Sequence, residues 1–272
     1  MIKKIAVDEV KRIQLEILEL VQDYCIDNDI KFWLDSGTLL GAVRHRGYIP
    51  WDDDIDIGML RDDYDKFIQS FNQVNERYRC LTIENTPQFG YPFAKVMDSE
   101  TILYEPDENG TKININIDVF VFDNAPDDDA EVEKMFKVRD RLRILRQLKF
   151  CKGKSTTPNL VKKAAIYVAS ALIQVFPTGY FDTLIVKNSK KYANIKTERV
   201  GNFCGANKFV CSKDVFNNFT WMEFEKKKFM VPIGYDKWLR CSYGDYMKLP
   251  PVEKRVSHHT YVAYKIERGD KE

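Results

Sequence analysis

Between residues 10 and 24 apolar side chains recur every three or four positions, at Val10, Ile13, Ile17, Leu20, Val21 and Tyr24. That period puts them on one stripe, so the chain is expected to open on an amphipathic helix with this face turned inward. A short strand is expected at 31–34. Ser36 and Gly37 then open a turn, and 38–45 reads as a short helix stopped by Gly47. From Asp52 the period changes to two. Asp52, Asp54 and Asp56 fall on one face of an extended chain and Ile55 and Ile57 on the other, which predicts a strand with an acidic and an apolar side. A helix follows at 62–71, with Tyr64, Phe67, Ile68 and Phe71 on one side, and strand-like runs recur at 80–83, 93–97, 101–104 and 113–122.

Past the "DNAPDDD" segment the pattern is helical from 130 to 181, broken near 153–158 and at Pro177. The remainder mixes short strands at 208–211 and 227–231 with a helix at 235–243. Strands and helices mix without strict alternation, so the fold class is α+β, with a mixed and partly antiparallel sheet flanked by helices. The expected division is a catalytic core over 1–125, a helical region over 126–205 and a C-terminal segment over 206–272 that packs on the core and completes its site.

The 272 residues leave room for a substantial core, and 44% hydrophobic with 31% charged content describes a globular chain. The net charge of +1 names no partner, and nothing calls for nucleic acid. The opening "MIKKIAVDEVKRIQ" turns charged before any apolar run develops, so no secretory leader is expected. Six scattered cysteines without a C-x-x-C pair suggest reduced thiols in a cytoplasmic protein.

Composition alone is bland; the segment "IPWDDDIDIGM" is not. At an effective dielectric of about 20, two carboxylates ~6.6 Å apart repel by roughly 2.5 kcal/mol. A cation would remove that cost, and Asp oxygens are hard ligands suited to Mg2+ or Mn2+. A solvated acidic turn is the plainer alternative, but Ile55, Ile57, Met59 and Leu60 are strand residues and poor turn residues. A calcium loop would match Asp52, Asp54, Asp56 and Asp63 at its positions 1, 3, 5 and 12, but fails at position 6, where Ile57 stands in place of glycine.

Two further pieces fit this one. The Ser36–Gly37 turn at a helix start offers backbone N–H groups and a helix dipole to phosphate. In "INIDVFVFD", Asp118 interrupts an alternating apolar strand, and a carboxylate there needs a partner. With these residues in view, "FWLDSGTLLGAVRHRGYIPWDDDIDIGMLRDDYDKF" closely resembles the LicD family, nucleotidyltransferase-like phosphotransferases that include the fukutin-related proteins. "YDKWLRCSYGDYMKLPPVEKRVSHH" resembles the same family's closing motif, while 124–203 resembles it hardly at all.

The resemblance implies a nucleotidyltransferase core. It also implies transfer of a phospho-alcohol, typically phosphocholine, from a cytidine diphosphate donor to a cell-surface glycan, a teichoic acid or polysaccharide precursor, or a lipid-linked glycan. It puts Asp54 and Asp56 in the place of the metal-binding pair and Asp118 in that of a third carboxylate, with Mg2+ or Mn2+ as cofactor. Lys95 and Arg44 are candidates for the donor phosphates, each otherwise a surface cation. Trp51 and Tyr48 are candidates to stack on cytosine or hold an ammonium group, and otherwise core. His258, beside His259, is a candidate substrate contact, and otherwise part of a polar strand edge.

Rival readings are a metal-dependent glycosyltransferase, a nucleotidyltransferase using a triphosphate, and a binding protein with a structural ion. Finally, 137–154 carries eight basic residues against one acid, and a nearly all-apolar helix follows. That helix is too short to span a bilayer, and its ordinary place would be buried beneath the basic one. The alternative is peripheral docking of 137–176 on the inner face of an anionic membrane.

Overall fold

The computed structural model describes residues 2–73, 75–105, 111–155, 157–256 and 261–266. In chain order its elements begin with β1 (Ile2–Ile5), α1 (Val7–Asp27), β2 (Trp33–Leu34), α2 (Ser36–His45), β3 (Asp56–Leu60), α3 (Arg61–Ser70), β4 (Tyr78–Leu81), β5 (Ala94–Asp98), β6 (Thr101–Glu105), β7 (Thr111–Ile113) and β8 (Asn116–Ala125). Three helices follow, α4 (Asp129–Cys151), α5 (Leu160–Ile173) and α6 (Tyr180–Ser189). The chain then forms β9 (Arg199–Asn202), β10 (Phe209–Ser212), β11 (Phe219–Phe224), β12 (Lys227–Pro232), α7 (Tyr235–Tyr243) and β13 (Val262–Ile266). The α+β expectation holds.

Strand β8 organises the main sheet. One edge pairs in parallel with β3; the other pairs antiparallel first with β5 and then, at its far end, with β9. Strands β2, β4 and β10 complete seven strands, so β9 and β10 from the C-terminal half are built into the same sheet as the N-terminal motif. A second sheet runs β1-β13-β6-β7, and β11 pairs with β12.

The apolar stripe predicted for α1 is buried at Val10, Ile13, Ile17, Val21 and Tyr24, packed on the β3–β8 strands' core; Leu20 sits at its margin and Leu18 is buried instead. Gly58 is required by packing: a Cβ there would run into the Trp33 indole, which is fully buried against Phe122 and Phe216. Arg61 at the start of α3 grips buried Asp123 of β8 with two hydrogen bonds, of 2.7 and 2.8 Å, and Ser189 of α6 donates to the same carboxylate. That charge is thus balanced where the three elements meet.

Two expectations change. Only Asp56 of the acidic run lies in β3; 52–55 precede the strand, because the ladder reaches back just to Ile55, whose carbonyl accepts from Asp118 N–H at 2.8 Å. The apolar helix is not buried. Most of the α5 surface faces solvent, and of its residues Ser170 alone is buried.

Candidate active site

The register of the main sheet places Asp56 of β3 opposite Asp118 of β8, and Asp118 opposite Lys95 of β5. Paired positions share a face, so these three side chains form one row across three strands. The Lys95 ammonium pairs with Asp118 and also donates to Asn116 Oδ1 at 3.1 Å. Lys95 is buried, and this pair balances the two charges that the apolar sheet would otherwise leave exposed to its low dielectric.

The segment before β3 is held from several sides. Asp56 N–H donates to Thr38 Oγ1 at 2.8 Å, and Asp56 carbonyl accepts from Asp35 N–H at 2.9 Å. Lys11 Nζ donates to the Asp52 carbonyl at 2.7 Å. These bonds tie the acidic run to the N-terminus of α2 and, through Lys11, to α1, and bring the carboxylates of Asp52, Asp54 and Asp56 to one cleft of about 520 Å3. Ser36, Gly37, Arg44, Trp51, Asp52, Asp54 and Asp56 all line it.

Ser36 has a left-handed backbone at φ 49°, unusual for a residue with a side chain. A Cβ on Gly37 would strike Asp52 Oδ2, so the glycine lets that carboxylate lie against the helix start. Behind the turn Asp35 is fully buried and accepts from Trp238 Nε1 at 2.8 Å. Burial pushes its carboxyl up to about 6, opposed by the Trp238 and Ser36 donors. The start of α2 therefore meets two carboxylates, which its dipole favours.

Crowding shows in the acidities. Burial first, and then Asp54, push Asp52 up to about 7. Asp56 is pushed well above the carboxylate range by burial, then by Asp54, Asp118 and Asp35. Such a group takes up either a proton or a cation. Among the described residues no group of three or more His, Cys, Asp or Glu side chains is placed to hold a metal ion. Mg2+ needs no such group, since it commonly takes one or two carboxylates and fills its remaining positions with phosphate and water oxygens. Asp54 and Asp56 offer that number of hard oxygens at an open cleft, so the donor set fits the ion.

The other expected residues fall as follows. Arg44 lines the cleft and donates to the Tyr246 carbonyl at 2.7 Å; burial lowers its basicity. Trp51 lines it too, with the Arg255 guanidinium 5.6 Å from its ring centre. Lys95 and Asp118 lie beside a smaller pocket of about 60 Å3, which shares Asp54 with the main cleft. Tyr48 is not at the cleft: Lys11 covers its ring at 4.5 Å, Phe224 packs at 5.1 Å, and its hydroxyl donates to Gln14 Oε1 at 3.2 Å. Its proximity in sequence to the acidic run misleads, because its ring is taken up between Lys11 and Phe224. His258 and His259 lie outside the described residues.

Further lining residues come from the C-terminal half: Asn202, Asn207, Tyr243, Asp245, Tyr246 and Lys248. Four of these sit in the closing motif quoted above, where the sequence had pointed only to His258, and nothing in the sequence pattern singled out the two asparagines. Tyr243 is partly exposed, and desolvation of its hydroxyl, followed by Asp35, Asp56, Asp52 and Asp54, pushes that group upward, so a neutral phenol stands close to the cluster.

Comparison with known proteins agrees with this geometry. A family described as LicD/FKTN/FKRP, nucleotidyltransferase domain, matches residues 29–159, the stretch that carries α2, the acidic run, Lys95 and Asp118. The lipopolysaccharide cholinephosphotransferase LicD of Haemophilus influenzae is 32% identical over 266 residues, 96% of this chain and 99% of that protein. The ribitol 5-phosphate transferase FKRP of Homo sapiens is 50% identical over 34 residues, 12% of this chain and 7% of that protein. The ribitol-5-phosphate transferase FKTN of Mus musculus is 31% identical over 108 residues, 39% of this chain and 20% of that protein. The chain belongs to the LicD family.

Proposed function

We propose that the protein transfers a phospho-alcohol, phosphocholine first among the candidates, from a cytidine diphosphate donor to a hydroxyl of a glycan or its lipid-linked precursor. Near end-to-end similarity to a protein named as a cholinephosphotransferase supports the group transferred. The observation that carries the chemistry is the charge of the cleft. Asp52, Asp54, Asp56 and Asp245 line it against Arg44 and Lys248, four carboxylates to two cations. A diphosphate would be repelled from that surface without a counterion.

Asp54 and Asp56 would hold a divalent ion, which supplies neutralisation of the diphosphate and of charge developing in transfer. Arg44 and Lys248 stand at the same cleft for the remaining phosphate charge, and Trp51 and Tyr243 offer flat faces to a base or an ammonium head. The acceptor hydroxyl attacks the phosphorus that bears the alcohol, its bond to the bridging oxygen breaks, and CMP departs with that electron pair. Asp52, beside the ion-holding pair in the same cleft and raised by burial and Asp54 to about 7, is the carboxylate suited to take the acceptor's proton. Lys95 pairs with Asp118 at the edge of the cluster.

The test is purified protein with Mg2+, a glycan acceptor, and cytidine diphosphates of choline, ribitol and glycerol. Release of CMP with matching transfer to the glycan is expected for one of them. Release of pyrophosphate from a nucleoside triphosphate, with no CMP from any donor, would refute the reading.

A further inference from the structure

Helix α5 is amphipathic in the wrong sense for a packed helix. Ile166, Ser170 and Ile173 face its support, α4, and the attachment is firm: Ser170 Oγ donates to the Leu148 carbonyl at 2.8 Å, and Gln174 Nε2 to the Lys149 carbonyl at 3.1 Å. Asn159 caps the helix, its Oδ1 accepting from Lys162 N–H at 2.9 Å. The opposite stripe, at spacings of three and four, runs Val161, Ala165, Val168 and Leu172, is continued by Val175 just past the helix end, and stands in solvent. Val161 is 79% exposed, Val168 56%, Leu172 69% and Val175 81%. Leu160 at 80% and Tyr167 at 63% widen the patch. Isolated exposed apolar residues are ordinary, but a continuous stripe on a well-anchored helix marks a surface that is covered in use.

Charge identifies what covers it. From Arg141 to Phe181 the chain has eight Lys and Arg and no Asp or Glu. Arg146 is spent on Asp182 at 2.9 Å, and Lys149 on the Phe176 carbonyl at 2.5 Å. Lys152, Lys154, Lys162 and Lys163 are exposed, and none forms an ion pair among the described residues. Lys162 and Lys163 sit in the first turn of α5. The turn bearing Lys152 and Lys154 packs against its middle, since a Cβ on Gly153 would strike the Tyr167 ring.

We infer that α5 is a membrane-docking helix that lays its apolar stripe into the interface of an anionic bilayer while these lysines meet lipid phosphates. At 14 residues it spans ~21 Å, shorter than the ~30 Å hydrocarbon core, so it lies in the plane of the interface. No helix among the described residues is long and apolar enough to cross a membrane. A second copy of the chain is the poorer occupant, because stripe-to-stripe pairing would set two clusters of four lysines side by side. The inference does not depend on which phospho-alcohol the cleft takes.

The experiment is co-sedimentation of the full chain with phosphatidylcholine vesicles and with vesicles containing about a third phosphatidylglycerol, at low and high salt. Partition onto the anionic vesicles is expected to exceed that onto neutral ones by about tenfold at low salt and to fall at high salt. Val168→Ser with Leu172→Ser, and separately Lys162→Glu with Lys163→Glu, are each expected to cut it by about tenfold with unchanged melting temperature. CMP release measured with a water-soluble acceptor is expected to stay at the wild-type rate in both, which separates this test from that of the cleft. Absence of partition at low salt would overturn the inference. So would equal binding to neutral vesicles, or a dimer that the serine variant breaks while vesicle binding is unchanged.

Discussion

At the cleft, burial and mutual repulsion among Asp52, Asp54 and Asp56 raise the carboxyls of Asp52 and Asp56, and burial alone raises Asp35 behind them. On α5, apolar side chains stand in water. The first region puts charge where hydrocarbon is favoured, and the second puts hydrocarbon where charge is favoured. Folding alone rewards neither arrangement. Each is supported by well-made local structure, a hydrogen-bonded sheet edge at the cleft and a capped, anchored helix at α5, so neither is a loosely packed margin. Each is therefore read as the imprint of something the chain meets outside itself, a cation with a diphosphate in one case and a lipid surface in the other.

Variants that relieve each misfit should behave in opposite ways, and the largest effect is expected at the cleft. Asp54→Asn and Asp56→Asn should each lower CMP release by about a thousandfold, roughly 4 kcal/mol of transition-state stabilisation. Without divalent ion the same variants should unfold at higher urea than wild type, because the crowding that raises Asp52 and Asp56 is relieved. Lower stability of both variants in chelator would show that the carboxylates hold the fold together and would break the comparison.

Lys95→Met comes next. It leaves Asp118 without its buried cation and should reduce stability in urea by about 3 kcal/mol, with much of the loss restored by adding Asp118→Asn. Additive losses in the double variant would mean that the two residues are not a pair.

The third prediction concerns pH. Asp35 is pushed up to about 6 in the folded chain and lies near 3.9 when unfolded. Between those values the folded state binds more protons, so this carboxyl subtracts stability as pH rises through that window. The stability of Asp35→Asn relative to wild type should therefore grow by about 2 to 3 kcal/mol between pH 4 and pH 7. A constant difference would place Asp35 in a solvated site. Smallest is the effect at α5: Val168→Ser with Leu172→Ser should shift stability by less than about 0.5 kcal/mol, since the side chains are already in water. A larger loss would return the helix to the core.

The two regions also differ in how openly the sequence shows them. The acidic run was legible because four aspartates ahead of strand residues are costly and therefore informative, and Asp118 because it breaks an apolar alternation. The row Asp56, Asp118, Lys95 was not, since it exists only through strand register between segments far apart in the chain. The period-3.6 signal for α1 named the buried face nearly residue by residue, whereas α5 showed only as a nearly all-apolar helix, for which burial was the ordinary expectation. Periodicity finds an apolar stripe but carries no information on whether protein, lipid or water lies against it. Strands β1, β9, β11 and β13 escaped for a different reason. β1 and β13 are short and owe their pairing to neighbours distant in sequence, and polar residues interrupt all four.

The central claim is that a divalent ion shared between Asp54, Asp56 and a donor's diphosphate is what makes the crowded cleft workable. Calorimetric titration of cytidine diphosphate choline into wild type and Asp54→Asn, each with Mg2+ and with chelator, tests it most directly. Donor binding is expected in wild type only with Mg2+, and the Mg2+ dependence should vanish in the variant. Equal donor affinity of wild type with Mg2+ and with chelator would contradict the account.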